Sequence, residues 1–422
     1  MKQLSHFIMF GLLFPLIAFA QTSRITMTTN FEIGRPINIV IAADPADMNT
    51  ITVHGATKSN RTYILDSQTI VIEGNVKSLS CVSCGLTTLD VSQNQDLTLV
   101  DCSYNPLTSL DVSNNLALQV LSCNFNKLTL LDVSQNKALT NLRCIDNELT
   151  SLDVSKNPDL INLFCGENQI KSLNLSKNSN LEVLECNYSA LEKLDISKNP
   201  KLTTLYCIDN QLNKLNVSNC KSLTVLQCNE NKLTTLNLSG NEKLETLDCG
   251  ENSLKQLNVS KNKNLKELNC NDLNLKKLDI SHNSALEHLN CAGNRLTDLD
   301  VSKLAQLTDL NCGNNQLAAL NLTSNPALSR LGLYGNDFSA CEIDHIFRQL
   351  PALNSDLGSV CLKYGEMSLP GADRCREYIA TTKQWQVISI FLEPCTDESH
   401  GDHHFHEIPS EINNTGNYEC DE

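Results

Sequence analysis

Twelve cysteines recur along the chain at one unbroken interval. Cys81, Cys102, Cys123, Cys144, Cys165, Cys186, Cys207, Cys228, Cys249, Cys270, Cys291 and Cys312 each stand 21 residues from the next. A thirteenth register falls at Leu333, in LGLYGN, where leucine replaces the thiol. A compact single core leaves no such signature, because its residues meet across loops of unequal length. A fixed period requires one structural unit stacked on itself, each copy burying its apolar face against the next. The 422 residues also exceed what one compact core usually holds, in keeping with an elongated array.

The unit reads L-x-x-L-x-C-x-x-N-x-L-x-x-L-[DN]-[VIL]-[ST]-x-N-x-x. Around Cys123 the inward set is Leu118, Leu121, Cys123, Leu128, Leu131 and Val133. Leu121 and Cys123 alternate with Ser122, which predicts a short strand with one buried face. Two asparagine columns, represented by Asn126 and Asn136, mark the turns. A short amide bends the chain and bonds backbone groups that a tight turn leaves unpaired, so stacked copies form ladders. The second half of the coil, as in SLDVSNNLA, lacks a helical period, so extended segments are expected on both flanks. A period of about 20 to 29 residues with L-x-x-L-x-L-x-x-N marks a leucine-rich repeat solenoid, here with cysteine at the third apolar position. Parallel strands about 4.8 Å apart give twelve coils a length of roughly 60 Å.

The flanks break the period. Residues 1–20 read as a secretory signal peptide: Lys2, an apolar stretch from Phe7 to Ala18, then Ala18-Phe19-Ala20. No later apolar run approaches the roughly 18 residues needed to span a bilayer, so an exported chain without a membrane span is expected. Residues 21–76 carry β-rich segments such as ITMTTNFEI and TIVIEG, and should cap the first coil of a solenoid that occupies 77–337. Residues 338–393 form an α/β C-terminal cap: a helix stopped by Pro351, a strand in GSVCLKYGE, then a helix and strand in DRCREYIATTKQWQVISIF. Residues 394–422 are an acidic, His-containing tail, whose HGDHHFHE run is read as an adventitious metal binder. Net charge −15 argues against nucleic acid, which needs clustered Lys and Arg.

The cysteine at the third apolar position, the 21-residue coil and the LTSLDVSxN half together resemble the internalin J type of cysteine-ladder leucine-rich repeat proteins, which includes exported proteins of Bacteroidetes. The resemblance covers residues 77–337 and implies cell-surface adhesion, host contact or biofilm association through the concave strand face. It supplies no general binding motif and no site residue. The C-terminus carries no cell-wall sorting motif, a departure from the family pattern. Cys341 and Cys375 both lie in the C-terminal cap, where similar caps carry cysteines, and are expected to pair. The pairing of Cys395 with Cys420 is left open.

The ladder thiols read as small buried hydrophobes rather than as chemistry. Stacking holds their Cβ atoms near the strand spacing of about 4.8 Å, whereas a disulfide needs about 3.8 Å. Zinc needs four ligands converging on a point, which a straight column cannot supply, so no metal site is assigned. Serine there should cost about 1–3 kcal/mol for an unpaired buried hydroxyl. Cys84 and Cys220 replace asparagines in their columns and read as lone thiols.

Binding chemistry is better placed on the exposed strand positions. Arg143, Phe164 and Tyr206 stand immediately before ladder thiols, and Ile145 and Ile208 immediately after them. Aromatics with arginine on a rigid concave face have the composition of binding hot spots. Two residues after the thiols runs an acidic column, Asp146, Glu167, Asp209, Glu230, Glu251 and Asp272, read as an edge that steers a basic partner. Lys156, Lys177, Lys198 and Lys261 occupy the opposite flank. No nucleophile–base pair or phosphate loop emerges. The expectation is therefore a monomeric, cofactor-free, non-enzymatic binding protein that recognises a protein or glycan at a cell surface. The alternative is a structural component of an envelope or matrix.

Overall fold

The computed structural model describes residues 23–353, 357–364, 367–368, 372 and 375–390. The expected signal peptide, the acidic tail with its histidines, Cys395 and Cys420 lie outside them.

Thirteen three-residue strands at 21-residue spacing, from Ser78–Ser80 to Arg330–Gly332, pair in parallel and in register. Leu121 thus faces Val100 on one side and Leu142 on the other. The one-dimensional period becomes a single sheet because each strand buries its central residue, Val100 in one strand and leucine in the others, while the flanking positions stay partly exposed except at the buried Ser122. The coil interior is a continuous apolar column in which all twelve ladder cysteines are at most 1% exposed. Their thiols reach toward the main chain of the following coil: Cys186 Sγ donates to Tyr206 O at 3.5 Å and Cys312 Sγ to Gly332 O at 3.3 Å.

Burial also disfavours the reactive thiolate form of these residues. Loss of hydration disfavours thiolate, pushing Cys207 up to about 12 and the lone Cys84 and Cys220 to about 11. Iodoacetamide at about pH 8 is therefore expected to leave the ladder cysteines unmodified in the native protein and to alkylate them in denaturant. Peptide mass spectrometry checks this. Native labelling of any ladder cysteine would contradict the packed-column reading.

The asparagine columns hold the turns. Asn147 Nδ2 donates to Cys123 O, Cys144 O and Ile145 O at 3.0, 3.2 and 3.2 Å, while its Oδ1 accepts from Leu128 N at 3.0 Å. Each such residue ties one coil to the coil before it. In the second column Asn157 Nδ2 donates to Val133 O and Asn136 O at 3.0 and 2.9 Å.

The second flank departs from the expected extended segments. Its regular pairing within the solenoid is confined to Ser172–Asn174 with Lys193–Asp195 and an isolated bridge between Asp90 and Asp111. Asp or Asn side chains in this column accept the amide two residues later, as Asp111 Oδ1 does from Ser113 N at 2.9 Å. The same Asx turn closes the paired segments, after Asn174 and Asp195, so it ends each segment without deciding which coils pair.

Both ends of the sheet are covered. An antiparallel sheet ordered Thr52–His54, Thr69–Glu73, Arg24–Thr29, Leu86–Asp90 closes the N-terminal end and includes a strand of the first coil. Val40–Ala42 adds antiparallel to Ser78–Ser80. At the other end Gly358–Tyr364 and Trp385–Ile390 continue the parallel sheet. Helix Ala340–Gln349, capped by Ser339 Oγ accepting from Glu342 N, packs beside them. Trp385 is buried, and its Nε1 donates to Pro351 O at 2.9 Å.

The expected Cys341–Cys375 pair is corrected. Cys341 is disulfide-bonded, but Cys375 Sγ donates instead to Ala372 O at 3.2 Å. Cys341 lies on the solvent side of its helix, whereas Cys375 packs against the core, so their side chains face different surroundings.

Candidate binding surface

The in-register sheet sets one residue of each strand beside its equivalent one coil away. Arg143, Phe164, Glu185 and Tyr206 are consecutive neighbours in this way. The Arg143 guanidinium lies over the Phe164 ring, 4.3 Å from its centroid. At such a distance the ring quadrupole attracts the cation and holds both side chains in one pose.

Glu185, which the residue pattern alone did not single out, fills the place between Phe164 and Tyr206. Its Oε1 accepts from Asn187 N at 3.1 Å and its Oε2 from Gly166 N at 3.3 Å. Glycine suits position 166, since a Cβ there would lie 2.8 Å from the main-chain oxygen of Asn187 as well as against Glu185 Oε1. Burial holds the carboxyl above the usual glutamate range, and the two amides pull the other way. The signal for Glu185 was its column position, which it shares with Arg143, Phe164 and Tyr206.

Ile145 and Ile208 are half-buried one position beyond the thiols. Their amides are held by the preceding coil, with Ile145 N donating to Asn124 Oδ1 at 2.9 Å and Ile208 N to Asn187 Oδ1 at 2.8 Å. The coils of Gly166 and Asn187 separate them, so Ile145 flanks the arginine–phenylalanine end of the strip and Ile208 the tyrosine end.

The acidic column occupies the corner after the strand. Asp146, Glu167, Asp209, Glu230, Glu251 and Asp272 are all exposed, with φ between 45° and 54°. This left-handed region suits glycine and asparagine, and other residues accept about 1 kcal/mol of strain to adopt it. The corner needs it because each amide turns to the next coil, as Glu230 N does toward Gly250 O at 3.1 Å. Desolvation and the charges of Glu251 and Asp209 together raise the Glu230 carboxyl above the ordinary range. In the same column Tyr104 and Phe125 stack with ring centroids 4.3 Å apart and planes 10° from parallel.

Further along the strand face Asp248 is largely desolvated, and burial raises its carboxyl despite bonds from Asn269 Nδ2 at 3.0 Å and Gly250 N at 3.1 Å. A raised native value means that the folded state binds the proton more tightly than the unfolded chain. Ionisation therefore costs stability, beginning as pH climbs past the ordinary aspartate value of 3.8 and complete above the raised native one. Asp248→Asn is expected to be more stable than the parent at pH 7, and the gap to close near pH 3. Urea unfolding at the two pH values tests this; an unchanged gap would show that charge is not its source.

Among the described residues no group of three or more His, Cys, Asp or Glu side chains could hold a metal ion, and no helix is long and apolar enough to cross a membrane.

Residues 284–325 match the family model for leucine-rich repeats, in two copies. No curated protein matches the chain. Among solved structures, the functional domain of InlJ from Listeria monocytogenes, which includes a cysteine ladder, is 28% identical with a TM-score of 0.53, covering 72% of this chain and 78% of that one. A leucine-rich repeat protein of Leptospira interrogans is 25% identical, TM-score 0.58, covering 65% and 82%. An internalin, InlF of Listeria monocytogenes, shares the fold at 19% identity, TM-score 0.56, covering 74% and 86%. With its buried thiol column and stacked 21-residue coils, the chain is a leucine-rich repeat solenoid with a cysteine ladder, similar to the functional domain of InlJ.

Proposed function

We propose that the protein is an exported binding module that recognises a protein or glycan at a cell surface through its concave strand face, without a catalytic step. The observation that carries this reading is the Arg143–Phe164–Glu185–Tyr206 strip. It sets a cation–π pair, a desolvated carboxylate and a second aromatic on adjacent strands of one rigid sheet. Rigid aromatic and arginine side chains contribute most where they are pre-organised, because little side-chain freedom is then lost on binding. The acidic corner column supplies long-range attraction for a basic partner and favours capture by a positively charged surface. Export rests on the apolar N-terminal segment ending in Ala18-Phe19-Ala20.

The test compares retention of the labelled mature protein on intact cells of its source organism with that of the Phe164→Ala/Tyr206→Ala variant. Recognition predicts that retention is lost while the urea midpoint stays unchanged. Equal retention of both proteins would transfer the reading to a structural role in an envelope or matrix, where coil number matters and one face does not.

A further inference from the structure

The long sheet has an unusual N-terminal margin. Among the described residues Val40–Ala42 pairs with Ser78–Ser80 alone and is its last strand, so its far edge carries no described neighbour. Ala42 O accepts from Lys77 N at 2.9 Å, which turns its main chain toward the solenoid. By the alternation of an antiparallel strand, the amide and carbonyl of Ile41 then face outward. Edge strands are normally blunted by lysine, proline or a bulge, and this one reads Val-Ile-Ala.

A groove of about 680 Å³ runs along this edge. Ile41, Met48, Ile51 and Val53 supply apolar walls, and the exposed cations Lys58 and Arg61 stand at its mouth. Among the described residues no carboxylate lines it, in a chain of net charge −15. The nearby acids are engaged elsewhere: Asp44 Oδ2 lies 3.8 Å from Lys77 Nζ, and Asp47 Oδ2 accepts from Asn75 Nδ2 at 3.3 Å. We propose that this groove is a second binding site, separate from the concave face, which takes an extended segment of a partner protein as an added strand. The open main chain of Ile41 calls for a strand, the walls for apolar side chains on its inner face, and Lys58 with Arg61 for acidic ones beside them. A second copy of this chain is a poor occupant. Joining two Val40–Ala42 edges would bring two Lys58–Arg61 pairs together and set like charges in opposition.

The probe is a fluorescent peptide, acetyl-Thr-Val-Glu-Val-Asp-Val-Thr-amide, titrated with the mature protein. Saturable binding is expected, about tenfold weaker when lysines replace its two acids and lost when its central amides are N-methylated. Lys58→Glu/Arg61→Glu, which changes two exposed side chains, is expected to reverse the charge preference at an unchanged unfolding midpoint. Absence of saturable binding, or equal binding by the N-methylated or lysine peptide, overturns the proposal. So does a dimer of the peptide-free protein in sedimentation that Val40→Lys dissociates, since that assigns the edge to self-association.

Discussion

Asn147→Ala is expected to lower the free energy of unfolding by about 3–5 kcal/mol, one of the largest losses open to a single polar side chain here. The side chain of Asn147 accepts from the Leu128 amide and donates to three carbonyls on two coils, so its removal orphans the buried Leu128 N–H and takes one donor from each carbonyl, leaving these with Asn126, Asn168 and the Phe125 amide. Asn157→Ala is expected to cost about 1–2 kcal/mol less. Asn157 donates to two carbonyls, and its Oδ1 accepts no hydrogen bond among the described residues, so no buried N–H is orphaned when it goes. The chain itself tolerates isolated gaps. Cys84, Ser189 and Leu273 interrupt the first column and Cys220 and Leu304 the second, never on adjacent coils of one column. Urea denaturation of the two variants measures the difference. Equal losses would falsify the distinction between the columns. A repeat array couples only through neighbours, so Asn147→Ala is also expected to broaden the transition as the two halves begin to unfold separately.

Phe164→Ala is expected to weaken partner binding by about 2–4 kcal/mol, a loss of roughly thirty-fold to a thousand-fold. Arg143→Ala should cost about half as much, because the guanidinium is exposed and its cation–π partner is intact but unoccupied. The two changes should not add, since the side chains touch: removing Phe164 also frees Arg143 from its pose. The double variant is therefore expected to lose less than the sum, which a double-mutant cycle on cell retention reads directly. Full additivity would show that the pair acts as two independent contacts rather than one pre-organised unit.

Arg143, Phe164 and Tyr206 were legible as strand-face residues because the thiols number every coil. Glu185 was not, because an acid in a column of polar residues is unremarkable until its neighbours are known. Phe164 and Tyr206 flank it on the adjacent strands, and Gly166 leaves room for its carboxyl to reach the main chain. The acidic column was visible as a run of like charge, while its left-handed backbone was not, since Glu and Asp give no local signal for φ near 50°. The second flank misled for a similar reason. Its alternating pattern fits a strand at every coil, whereas regular pairing is confined to Ser172–Asn174 with Lys193–Asp195, and the Asx turns that end these segments recur at unpaired coils as well.

What the sequence by itself determined is the frame of the repeat: coil length, register, the buried leucine and cysteine columns, and the two asparagine columns. Those contacts join the same residue type one period away, so a one-dimensional pattern specifies them completely. What only the tertiary structure decided is the hydrogen bonding inside each coil, such as which asparagine column spends its carbonyl, and everything that does not repeat. Which carboxylates lose their water, where Cys341 fails to meet Cys375, and how Val40–Ala42 comes to edge a groove facing Lys58 and Arg61 all depend on elements that meet once. No period encodes such meetings, because each is set by packing between segments that share no register.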